Sequence, residues 1–207
     1  MAAQARRFVL AMSVGLVSFG VPHGAAAGST DASTASTTAS QTSAVDSDTD
    51  PLWMVEVTGG FFVESWDMNL FRERLGGAAV SVYRRLSPRW TIGVEGHLDY
   101  VDQGPVKNGV LPAMVAMVRW RALQIGETSV FVEGGAGPAY ATTRVPDNGT
   151  HLNVVTNLGS GLSRPLTPRV DMLAGARWMH ISNSGFAGRR RNPDIQAIGV
   201  YVGWRLH

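Results

Sequence analysis

From residue 90 to residue 100 the chain alternates. Trp90, Ile92, Val94, Leu98 and Tyr100 fall on one side, with Gly96 among them, and Thr91, Gly93, Glu95, His97 and Asp99 fall on the other. A period of two predicts a strand with one apolar and one polar face. The same pattern recurs along the chain. Residues 114–120 set Met114, Ala116, Val118 and Trp120 against Arg119. Residues 130–140 carry Glu133 on the odd face among many Gly and Ala. Residues 170–182 set Val170, Met172, Ala174, Ala176 and Trp178 against Asp171 and Arg177. Residues 194–206 set Ile198, Val200, Val202, Trp204 and Leu206 against Gly199, Gly203 and Arg205. Segments 52–63, 75–86 and 150–164 complete a set of eight predicted strands.

The connections come in two kinds, which alternate. Segments 86–89, 123–128 and 165–168 are short turns, and segments 64–74, 102–108, 142–149 and 183–193 are longer polar loops. This is the pattern of an all-β, eight-stranded antiparallel up-and-down transmembrane barrel, with short periplasmic turns and longer outer loops. Its polar faces carry Glu56, Glu95, Asp99, Glu133 and Asp171 together with Arg119, Arg121, Arg177 and Arg205. An eight-stranded barrel is just wide enough for side chains, so these charges are expected to pair inside it, with His97 joining them. The apolar faces end in Trp90, Tyr100, Trp120, Trp178 and Trp204, as interface girdles do. A soluble lipocalin-like barrel would turn the same faces the other way. The girdles and an export segment favour the membrane reading. A filled barrel is not a pore, which leaves its outer surface and loops for function.

Composition and local motifs add further limits. Arg6 and Arg7, an apolar stretch from residue 8 to 21 and Ala25-Ala26-Ala27 predict a signal peptide over residues 1–27. Residues 28–51, rich in Ser, Thr and Ala, read as a disordered linker, leaving residues 52–207 for the barrel. The formal net charge is +2 and no basic helix is visible, which argues against a nucleic-acid partner. Cysteine is absent, so disulfides and zinc–thiolate sites are excluded. No metal-ligand cluster, phosphate-binding loop or Gly-x-Ser-x-Gly elbow is present, so neither a metal nor another cofactor is expected.

One stretch does not fit a purely structural barrel. His180 and Ser182 share the outward face of Trp178 and lie just beyond it, on the long-loop side. Spacing of two puts both side chains on one face, within reach of a hydrogen bond. That is the minimum for a serine nucleophile with a histidine base. A serine near a strand end is also an ordinary turn residue. Asp194 and Gln196 sit on the same face of the neighbouring strand, so either one can lie beside His180. A carboxylate there would orient the imidazole and stabilise its charged form, whereas an amide would only orient it. Arg189, Arg190 and Arg191 follow in the same loop, suited either to phosphate or to solvent.

The run Arg-Trp-Met-His-Ile-Ser-Asn-Ser-Gly, followed by Arg-Asn-Pro-Asp-Ile, resembles the signature of the lipid A 3-O-deacylases, also called acyloxyacyl hydrolases. The resemblance implies an outer-membrane barrel of a Gram-negative bacterium that hydrolyses an ester-linked acyl chain of lipid A. It makes Ser182 the nucleophile and His180 the general base. It places Asn183, Ser184 and Gly185 in the segment associated with the oxyanion hole. It also makes lipopolysaccharide and outer-membrane lipid the partners and leaves a homodimer open. The family's acid, a Glu, aligns with Gln196, and Asp194 stands where the family has Gly. Either Asp194 takes the acid role, or Gln196 orients His180 as an amide, or activity is lost. The last case would leave a non-catalytic barrel with a structural or surface-interaction role.

Overall fold

The structure, a computed structural model, describes residues 51–65, 72–188 and 192–207. The expected signal peptide, all but the last residue of the expected linker, and Arg189, Arg190 and Arg191 lie outside the described residues. Eight strands form: β1 Trp53–Glu64, β2 Arg74–Arg85, β3 Trp90–Asp102, β4 Gly109–Ile125, β5 Thr128–Val145, β6 Thr150–Thr167, β7 Val170–Ser182 and β8 Ile195–Leu206. Each pairs antiparallel with its sequence neighbours, and β1 pairs with β8 to close the barrel. The short connections and both ends of the barrel chain lie at one rim, and the longer connections lie at the other.

Strands β4, β5 and β6 run further than the alternation predicts. Residues 142–145 and 165–167, expected in loops or turns, are strand. Backbone pairing continues past the membrane, where neither face has to be apolar, so the periodic signal ends before the ladder does. Bulges between Arg121 and Leu123 and between Tyr140 and Val145 also shift the period. One expectation is corrected at the short-turn rim. Arg121 does not join the interior charges; its guanidinium donates to the Pro88 carbonyl in the β2–β3 turn.

The remaining polar faces turn inward and pair as expected. Arg119 donates to both carboxylate oxygens of Glu56 and, at 2.8 Å, to Glu133. Arg177 reaches Glu95 at 2.8 Å and Glu133 at 2.7 Å. Tyr201 donates its hydroxyl to Glu133 at 2.8 Å. Arg205 joins Glu56 to Asp171, at 2.8 and 3.2 Å. His97 lies 2.6 Å from Glu95 and 3.7 Å from Asp99. Glu56, Glu95, Glu133, Asp171, Arg119, Arg177 and Arg205 thus each have an opposite partner, which offsets their desolvation. The rings of Tyr83 and Phe131 flank the Arg119 guanidinium at 4.5 and 4.2 Å from their centroids. Toward the long-loop rim the filling becomes apolar, with Leu75, Val101, Leu111, Ile181 and Ile195 fully buried.

The filling is tight enough to dictate where side chains must be missing. A Cβ on inward-facing Gly175 would fall 2.5 Å from the Tyr201 ring, and one on Gly199 would fall 2.1 Å from the Phe61 carbonyl oxygen. The outward face has the opposite character. Val80, Val94, Leu98, Val118, Leu158 and Val200 are all exposed, the composition a hydrocarbon environment demands.

Candidate active site

Strand β7 brings its last residues to the long-loop rim. Ile181 points inward and is fully buried opposite Ile195 of β8, so the register of this hairpin is fixed by core packing. His180 and Ser182, one residue to either side, are thereby held on the outward face. His180 Nε2 lies 3.0 Å from Ser182 Oγ. The Trp178 ring stacks on the imidazole from two residues back, with centroids 5.8 Å apart and planes 22° apart. That contact limits rotation of the imidazole about its side-chain bonds.

The other ring nitrogen meets β8. Asp194, which immediately precedes β8, places Oδ2 3.5 Å from His180 Nδ1. Gln196, directly opposite His180 in the ladder, donates its side-chain amide to the same Asp194 oxygen at 2.9 Å. Both alternatives weighed from the sequence are therefore present, in series. The carboxylate faces the imidazole, and the amide holds the carboxylate. The Gln196 main chain is in turn held from just beyond β1, where Ser65 donates its backbone N–H to the Gln196 carbonyl at 3.0 Å and its hydroxyl to the same oxygen at 3.3 Å.

Beyond Ser182 the chain turns sharply. Asn183 Oδ1 accepts the Gly185 N–H at 2.9 Å, and the Asn183 carbonyl accepts the Phe186 N–H at 3.0 Å. Ser184, Gly185 and Gly188 take φ values of 51°, 79° and 87°. Asn183 and Gly185 thus bond to each other in the turn. The Ser184 N–H, by contrast, lies 3.4 Å from Ser182 Oγ. Ser182 and Asn183 are buried, while the side chains of His180 and Asp194 keep 27% and 41% of their exposure. The open side of the group is therefore the imidazole and carboxylate edge.

In chemical terms this is a hydroxyl, an imidazole and a carboxylate in line, with a backbone N–H beside the hydroxyl. A serine so placed can pass its proton to Nε2 while the carboxylate stabilises the imidazolium. The sequence pattern did not disclose two supports. Trp178 was legible only as a girdle residue, although its spacing of two from His180 on one face was the available signal. Ser65 lies 131 positions from Gln196, and nothing in the chain links them before the barrel closes.

The profile of the lipid A 3-O-deacylase (PagL) family matches residues 75–205, a span that contains His180, Ser182, Asp194 and Gln196. No curated protein sequence matches at a significant level. Among solved structures, Neisserial surface protein A (NspA) superposes with a TM-score of 0.59 at 14% identity, over 75% of this chain and 97% of that one. The outer membrane enzyme PagL superposes with a TM-score of 0.50 at 14% identity, over 73% of this chain and 99% of that one. These two structures share the fold, a closed eight-stranded outer-membrane barrel. The family match covers well over half the chain, and on that ground the protein belongs to the lipid A 3-O-deacylase family.

Proposed function

We propose that this protein is an outer-membrane serine esterase that removes an ester-linked acyl chain, the 3-O chain, from lipid A. The observation that carries the reading is the alignment of Ser182 Oγ, His180 and Asp194, with 3.0 Å at one ring nitrogen and 3.5 Å at the other. Ser182 attacks the ester carbonyl as His180 Nε2 takes its proton. The tetrahedral intermediate collapses, the sugar oxygen leaves, and His180 returns the proton to it. Water, deprotonated by the same imidazole, then attacks the acyl-Ser182 ester and releases the fatty acid. Asp194 stabilises the imidazolium in both halves, and the Nδ1 contact is expected to shorten when the ring is charged. Gln196 keeps the Asp194 carboxylate facing His180. The Ser184 N–H is the donor assigned to the developing oxyanion, with the Asn183 amide joining on rearrangement of the turn. Arg189, Arg190 and Arg191, in the connection that leaves the site, are assigned to the lipid A phosphates.

In this reading acid chemistry has moved two residues along the same strand face, from the family's Glu position to Asp194. Residues 1–27 would direct export, and no cofactor enters the mechanism. The test is mass spectrometry of lipid A from cells expressing the wild type, Ser182→Ala, Asp194→Asn and Gln196→Glu. Loss of one 3-O-linked hydroxyacyl chain in the wild type and in none of the Ser182→Ala cells is the expected result. Unmodified lipid A in wild-type cells, with the barrel correctly inserted, would make this a non-catalytic barrel of structural role.

A further inference from the structure

The short-turn rim carries a charge pattern that the deacylase reading does not use. Arg84 and Arg164 stand on the outward faces of β2 and β6, and Arg89 and Arg169 stand in the turns beyond them. All four are exposed, and none takes part in an ion pair among the described residues. The single exposed acid among the described residues of this rim is Glu127. An aromatic belt lies level with Arg84 and Arg164, and Arg89 and Arg169 lie in the turns beyond it. Trp53, Trp90, Trp120 and Trp204 are 57%, 48%, 36% and 56% exposed, so four of the six tryptophans in the chain sit at this end. Tryptophan belts mark the headgroup level, and arginines level with the belt or just beyond it extend their guanidinium groups into the phosphate layer. Arg84 stands directly opposite Trp53 in the β1–β2 ladder, with its guanidinium 5.8 Å from the centroid of the Trp53 ring.

We infer that this rim binds the phosphate groups of net-anionic phospholipids in the leaflet that faces the short turns. A guanidinium matches a phosphodiester with two parallel donors, and a zwitterionic lipid offers the same phosphate with a cation beside it. Two pairs of exposed arginines at headgroup depth, Arg84 with Arg89 and Arg164 with Arg169 on opposite sides of the closed barrel, therefore favour the anionic lipid, by an amount that falls with added salt. The rim would anchor the barrel at a fixed depth in its inner leaflet. It would act independently of the site at the opposite end.

The tryptophans supply the probe. The inserted protein is placed in phosphatidylcholine vesicles containing equal fractions of brominated phosphatidylglycerol or brominated phosphatidylcholine, and quenching of tryptophan fluorescence is compared. Quenching by the anionic lipid is expected to exceed that by the zwitterionic one by roughly threefold at low salt. The ratio should fall toward one in Arg84→Gln/Arg89→Gln/Arg164→Gln/Arg169→Gln. It should persist in Arg74→Gln/Lys107→Gln/Arg144→Gln, which removes charge from the other rim. Migration of the unheated barrel on a gel establishes that each variant is folded. A ratio near one in the wild type overturns the inference. Equal loss in both variants also overturns it, because the preference would then reflect net charge alone.

Discussion

Asp194 and Gln196 differ in what their removal should do. Asp194→Asn keeps the shape and loses the charge that faces His180 Nδ1. In other serine hydrolases that exchange costs about 10⁴-fold in rate, and a partly exposed carboxylate at 3.5 Å should cost less, roughly 10²- to 10³-fold in kcat. Gln196→Ala removes only the 2.9 Å tether on the carboxylate, so a loss of roughly tenfold is expected. Steady-state hydrolysis of purified lipid A by the two variants checks the order, and the reverse order would assign the orienting role to the amide. The sequence made His180 and Ser182 legible because a two-residue period fixes a shared face. It could not decide between Asp194 and Gln196, because both occupy the neighbouring face and only side-chain rotation separates them. The support from Ser65 was beyond reach for a different reason, since the β1–β8 pairing exists only after closure.

The β7–β8 connection shows how one element sets the site. Its turn depends on Gly185 at φ 79°, a conformation that β-branched residues adopt only under strain. A Cβ there would meet nothing within 4 Å, so the difficulty is backbone conformation and not space. Gly185→Val should therefore displace the Asn183–Ser184 segment and lower kcat by roughly tenfold, while leaving the folded barrel intact. Comparing activity with the gel mobility of the unheated protein separates the two effects. The eight strands were countable from alternation, but their ends were not. β5 extends to Val145 because the ladder to β6 resumes after a bulge, and a bulge erases the periodic signal where it occurs. Arg121 keeps its place on the inward face, opposite Phe131, but lies close enough to the rim for its guanidinium to reach the Pro88 carbonyl instead of an interior acid.

Taken as a whole, the barrel depends on its filling. Glu133 is the hub: it accepts from Arg119, Arg177 and Tyr201. Glu133→Gln would leave two buried guanidinium groups short of negative charge, at a cost of roughly 3 kcal/mol or more. Urea titration of the vesicle-inserted protein, followed by tryptophan emission, should show a lower midpoint with little change in slope. That the charges would pair inside was legible from their placement on alternate positions; which acid would be the hub was not, because strand tilt brings together residues far apart in sequence. The location of the His180–Ser182 pair on the outward face has a further consequence, for kinetics. A molecule approaching it in the membrane is counted per unit of bilayer area, not per litre. Diluting a vesicle suspension with buffer should therefore leave turnover per protein unchanged. Diluting lipid A within the bilayer with inert phospholipid should slow it in proportion to the mole fraction, so a Michaelis constant for this protein is a surface density.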